Sequence, residues 1–320
     1  MTASPISLVR GPRLSGPVAA APAITIVVAS NRSRALLNSC LASLLPQCER
    51  ASAELIVARA GSVIELHELQ RAMPRVRFVH APPTASIPQL RGLGMAESAG
   101  DIVALTEDHC VADDAWVQTL LQHAQDPADV IGGGMGNAQQ HRTVDWAAYF
   151  SEYGFFSDQR REPEGGSDRP LITGANVAYK RRVVGEVLHW AQQGEWENVA
   201  HSRLMARGSA MRFVRTAAIY QNKNYHFAEF CVDRYQHGRD FARKRLGEDP
   251  SSPRWLLLGA TPLLPALLTY RIARAAASAR WSTFLRALPV TFAFLTAWSV
   301  GEAVGYLRGP VDARSGDSGT

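Results

Sequence analysis

From residue 24 onward, short β-branched runs alternate with helical stripes. "ITIVV" at 24–28 is an apolar run of strand length, and Leu37, Cys40, Leu41, Leu44 and Leu45 then recur at the spacing that lines one face of a helix. Asn31 or Ser33 suits the cap of that helix, and Pro46 is expected to stop it. "AELIVA" reads as a second strand, residues 63–72 as a second helix and "VRFVH" as a third strand. Pro88 fits the first turn of a helix running to Ser98, after which "DIVAL" forms a fourth strand. This alternation predicts an α/β fold, a doubly wound and mainly parallel sheet flanked by helices on both faces.

Beyond residue 127 the pattern changes. "DVIGGGMG" reads as a strand ending in a Gly-rich turn, "REPEGGSDRP" as an exposed loop, and "ITGANVAYKR" as a turn and strand. Residues 196–208 form a helix ending at Gly208, "MRFV" a short strand, and residues 226–246 a long polar helix. Two uncharged apolar runs follow, 255–270 and 287–301, separated by Arg271, Arg274, Arg280 and Arg286. Each is shorter than the roughly 20 residues of a spanning helix. Pro262 and Pro265 interrupt the first run, and extending the second takes in Glu302. Two helices lying in a membrane interface, with arginines toward lipid phosphates, is the preferred reading. A helical pair packed on the preceding domain or in a dimer is the alternative, and a spanning hairpin is a third. The chain then divides into a disordered tail at 1–23, an α/β domain at 24–250, an apolar helical segment at 251–309 and a second tail at 310–320.

Composition narrows this picture only slightly. The 320 residues are 46% hydrophobic, which excludes disorder throughout. A formal charge of +5 fits anionic partners such as phosphorylated ligands, nucleic acid or a membrane surface without choosing among them. Four cysteines, Cys40, Cys48, Cys110 and Cys231, form no C-x-x-C pair, so neither a zinc knuckle nor a disulfide framework is indicated. The first 23 residues hold no continuous apolar run of the kind a secretory signal needs.

Candidate chemistry gathers where the fourth strand ends. "TEDH" sets Glu107, Asp108 and His109 in a row, beyond the carboxyl end of a strand, where ligands bind in parallel α/β sheets. Carboxylate and imidazole there can hold a divalent ion and present it to a diphosphate. The plain alternative is an exposed turn, with Asp113 and Asp114 capping a helix that starts near Trp116. Arg239 and Arg243 share a face of the polar helix and can clamp a diphosphate or meet anionic lipid.

The order of "ASNRS", a strand ending in "GS", "QLRGLG", "TEDH", "GAN" and "WEN" resembles the family 2 glycosyltransferases of GT-A fold across residues 24–246. The resemblance implies that Ala29, Ser30 and Asn31 line a nucleoside pocket, and that Arg59 in "RAGS" stands where the family commonly has an Asp contacting the base. It makes Arg91 a group that orients the acidic loop or a phosphate, and turns Glu107 and Asp108 toward the donor. His109 takes the usual metal-ligand position, and His226 with Arg239 adds a metal and a phosphate contact. Imidazole favours Mn2+ over Mg2+ as the cofactor. Gly174, Ala175 and Asn176 would line the acceptor side. Glu197 would be the base, with Glu195 in reserve, because Asn198 replaces the family's Asp and an amide cannot take a proton. The implied activity is an inverting, metal-dependent, hexosyltransferase-like transfer for a cell-envelope glycoconjugate. A nucleotide-sugar donor meets a carbohydrate or lipid-linked acceptor at the cytoplasmic face of the membrane, without nucleic acid. A sugar-phosphate nucleotidyltransferase lacks its Gly-rich phosphate loop in "VVASNRSRA", and a catalytically degenerate scaffold draws on Arg59 and Asn198.

Overall fold

The computed structural model describes residues 21–158, 171–248, 253–276 and 280–310. The exposed loop expected at 161–170 and most of both tails lie outside the described residues. The chain divides into two compact units, Met1–Ala138 with Arg160–Asn222, and Gln139–Gln159 with Lys223–Thr320. The domain boundary expected at residue 250 differs from this division, since the polar helix belongs with the C-terminal helices.

In chain order the elements begin β1 (Ile24–Ser30), α1 (Arg34–Ala51), β2 (Glu54–Ala60), α2 (Val63–Ala72), β3 (Arg77–Ala81), α3 (Ile87–Ala96) and β4 (Ile102–Glu107). They continue β5 (Cys110–Ala112), α4 (Trp116–Gln122), β6 (Val130–Asn137), α5 (Thr143–Tyr153), β7 (Val177–Lys180), α6 (Arg181–Gln192), α7 (Glu197–Ala206) and β8 (Met211–Gln221). The last four are α8 (Phe227–Glu248), α9 (Arg254–Ala260), α10 (Leu264–Ala276) and α11 (Trp281–Arg308).

All eight strands form one sheet in the order β3-β2-β1-β4-β7-β6-β8-β5. β1, β2, β3 and β4 are parallel, whereas β7 runs against both β4 and β6, so the sheet is mixed and mainly parallel. Register places Ser30 beside Arg59 and Ala29 beside Glu107, which gathers the carboxyl ends of three strands at one edge. Apolar residues of α3, α6 and α7, among them Met95, Val187, Trp190 and Leu204, form a core with Val27, Val103 and Tyr179. Full burial of one such Val or Leu stabilises by about 1.5–3 kcal/mol.

Several expectations are corrected. Ser33 caps α1, accepting the amide of Leu36, but Pro46 lies inside the helix, which continues to Ala51. The buried stripe runs on through Gln47 and Cys48, and that packing holds the helix past the proline. "VIGGGMG" is strand throughout rather than strand and turn, because Gly133 packs directly under the Ala217 carbonyl and the Asn176 amide. β5, α5 and α6 add elements that the apolar pattern left unassigned.

The second unit is helical. Trp146, Phe150, Tyr225, Phe230, Phe284 and Phe294 dominate its core. Asp145 accepts the amide of Tyr225, and Asp158 takes a forked pair of bonds from Arg280 at 2.7 and 3.3 Å. The C-terminal helices are longer than their uncharged runs, because polar flanks join them. Two segments, Arg254–Ala275 and Trp281–Arg308, are long and apolar enough to cross a membrane by length and composition. The shortness of the apolar runs therefore does not bound the helices.

Candidate functional site

The strand ends place three ion-pair partners in a chain. Arg91, on α3 and 4% exposed, donates from Nη2 to Glu107 at 2.6 Å and from Nη1 to Glu197 at 2.9 Å. It is therefore a buried bridge and not a helix-surface residue. Burial alone would lower the Arg91 guanidinium, but the two carboxylates outweigh it and hold it above its ordinary value. Burial likewise pushes the Glu197 carboxyl up, while Arg91, the Gly174 amide and the residue's own amide bring the net value below the ordinary range. Glu197 at the start of α7 is ionised, as an acceptor of a proton must be.

Gly174 has its reason here. A Cβ at that position would overlap the Arg91 guanidinium, so the missing side chain makes room for the bridge. Ala175 and Asn176 are buried, and the Asn176 side chain accepts from Trp116 Nε1 at 2.9 Å and donates to the Gly134 and Ala217 carbonyls at 2.9 and 2.8 Å. The Asn176 amide thus fastens β6, β8 and α4 to one another.

A second polar group lies beneath the ends of β1 and β2. Asp108 is 1% exposed, and its Oδ2 accepts from Ser30 Oγ at 2.8 Å and from the Arg32 amide at 2.7 Å. Arg59, also buried, donates to Ser30 Oγ, to the Arg32 carbonyl and to Glu65, and stands 3.8 Å from Asp108. Arg59 is thus turned into the protein as a counter-charge to Glu65 and Asp108. Ala29 and Ser30 are fully enclosed, and Asn31 is the exposed member of that trio.

For a divalent ion the donors fit in part. His109 Nδ1 lies 3.6 Å from Glu107 Oε2 and 4.0 Å from Asp108 Oδ1. Asp108 Oδ1 is buried without a hydrogen-bond partner. Among the described residues no group of three or more His, Cys, Asp or Glu is arranged to hold a metal ion. Glu107 and His109 are the pair that would be left to hold an ion completed by substrate phosphates. His226 and Arg239 belong to the second unit, where His226 is exposed just before α8 and Arg239 donates to Asp240 at 2.9 Å.

A small cleft in the first unit is lined by Arg91, Tyr179, Glu195 and Glu197. Behind it Tyr179 Oη meets His201 Nε2 at 2.8 Å, and burial lowers His201 to about 4. Trp196, 43% exposed, has its ring 5.9 Å from the Arg91 guanidinium. Trp196 and His201 were not among the expected site residues, and the sequence signal for Trp196 is an aromatic next to a candidate base.

Comparison with known proteins gives the family and the fold. The family model described as Glycosyl transferase family 2 matches residues 25–188, just over half of the chain. The chain belongs to glycosyl transferase family 2. Its fold is similar to that of a mannosyltransferase, PcManGT from Pyrobaculum calidifontis, solved in complex with GDP-Man and Mn2+. The TM-score is 0.52 at 14% identity, over 90% of this chain and 87% of that one, a likeness of GT-A fold. A search of curated proteins finds no match. As a family 2 member the chain is a nucleotide-sugar glycosyltransferase.

Proposed function

We propose that this glycosyltransferase moves a hexose from its nucleotide-sugar donor to a hydroxyl of a carbohydrate or lipid-linked acceptor, with inversion at the anomeric carbon. The Arg91 bridge carries the reading, because one guanidinium ties the carboxylate ending β4 to the carboxylate opening α7. Donor and acceptor groups are thereby held in one electrostatic unit. Ionised Glu197 accepts the acceptor's hydroxyl proton as that oxygen bonds to the anomeric carbon. The bond to the nucleoside diphosphate breaks on the opposite side, its electron pair leaving with the diphosphate, and a single displacement inverts the centre. Exposed Trp196 offers a ring against which the apolar face of a sugar can lie.

Glu107 and His109 would hold a divalent ion, manganese in preference to magnesium because of the imidazole donor. When bound, such an ion offsets charge on the leaving diphosphate. Asp108 and Arg59 support that loop from below, and exposed Asn31 is left to meet the nucleoside. The two long apolar helices of the second unit support work at the cytoplasmic face of a membrane.

The substitution Glu197→Gln tests the base. Turnover of the donor should fall by about a hundredfold or more while donor binding persists. Full turnover by a folded variant would remove Glu197 from the role.

A further inference from the structure

We infer that the second unit docks on an anionic bilayer as a monotopic body, with α11 lying in the membrane plane instead of crossing it. This deepens the membrane reading above and does not depend on the chemistry of the first unit. The inference starts from two faces of one helix. The inner face of α11 is spent on protein: Phe284, Ala287, Thr291, Phe294, Ser299 and Tyr306 are buried. Its opposite face presents Leu285, Phe292, Val300 and Leu307, each about half exposed and each seven or eight residues from the next. Leu256, Leu263, Leu267 and Tyr270 form a similar exposed stripe on the preceding helical segment. Two exposed apolar stripes on the helices of one unit call for a partner.

Charge selects the partner. Between Arg254 and Gly301 the sequence contains no Asp or Glu. Arg271 and Arg274 stack on Phe155 and Tyr270, while Arg254 and Arg286 donate to backbone carbonyls, contacts that leave their charges in place. A second copy placed face to face would set arginine against arginine. Lipid phosphates supply the missing negative charge, and acyl chains receive the leucines and Phe292.

The polar helix α8 decides the orientation. It runs along the C-terminal half of α11, with Phe230 on Phe294, the Arg234 guanidinium 4.5 Å from the Trp298 ring centre, and Arg245 reaching Tyr306 Oη at 3.5 Å. Gly238 lies against the Trp298 carbonyl and Gly301 against the Tyr235 carbonyl, so the two backbones pack with no side chain between them. Carrying α11 across a bilayer would carry Asp233, Arg239, Asp240 and Lys244 to hydrocarbon depth with it. Lying flat, the unit keeps α8 in water and its apolar stripes in lipid.

The test uses the full chain with phosphatidylcholine vesicles, with and without phosphatidylglycerol. Flotation should show binding that requires the anionic lipid. Phe292→Asp and Val300→Asp, both on the exposed stripe, should each weaken it about tenfold or more with unchanged circular dichroism. Cysteines placed at Ser282 and Arg308 in a Cys231→Ser background should both react with an impermeant maleimide from the outside of sealed vesicles. Labelling of one end alone would establish crossing and overturn the inference. Equal binding to neutral vesicles, unaltered binding by the Asp variants, or a solution dimer dissolved by Phe292→Asp without vesicle binding would overturn it too. Donor turnover by the same variants in lipid-free buffer reads the chemistry separately, so failure of one reading does not imply failure of the other.

Discussion

Arg91 sits between two carboxylates, Glu107 and Glu197, and in the proposed mechanism it is the residue through which donor and acceptor sides share charge. Its removal has a defined sign. Because Arg91 is the largest of the groups that offset burial at Glu197, Arg91→Gln raises the carboxyl. The native Glu197 is ionised to below the ordinary carboxylate range, and its contribution to folding is present above the unfolded value and lost as pH falls through the lower folded one. In the variant, the acid limb of the kcat/KM profile should move to higher pH. An unmoved limb would mean that the base is another group. As candidates, Glu107, His109 and Glu197 were legible from strand ends and motif order. Their pairing was not, because Arg91 meets Glu197 across 106 positions of sequence, and a lone Arg in a helix gives no sign of a partner so far away. Arg59 illustrates the same gap, since its departure from the family pattern was visible while its inward turn toward Ser30 and Glu65 was not.

At the scale of elements, the apolar pattern located β1 to β4 and α1 to α3, because β1, β2 and β4 are continuous apolar runs buried on both faces and α1 buries one regular stripe. It failed where packing between elements decides the outcome. The glycines of β6 read as a turn but serve close approach, with Asn176 of the "TGAN" segment filling the space beside Gly133. Asn176 joins three elements through three buried bonds. Asn176→Ala should destabilise the first unit by about 3 kcal/mol or more, since Trp116 Nε1 and two carbonyls are left unpaired. Urea unfolding measures this, and a loss under about 1 kcal/mol would show that water or rearrangement replaces the amide.

For the whole molecule, the α/β unit follows from local patterning, whereas the helical unit does not. α5 lies between β6 and a segment outside the described residues, yet its Trp146 and Phe150 share a core with Phe284, more than a hundred positions away. Such contacts leave no local periodicity to read, which is why the domain boundary was expected at residue 250. Family membership and fold give the chain a nucleotide-sugar chemistry, and the claim that rests most heavily on its own residues is that Glu107 and His109 bind the donor through a divalent ion. Titration calorimetry of the full chain with a panel of nucleotide sugars, with and without Mn2+, measures this directly. Selective, saturable binding that requires Mn2+ and is lost in His109→Ala is the predicted result. Binding of no nucleotide sugar, or equal Mn2+-dependent binding by His109→Ala, would contradict it.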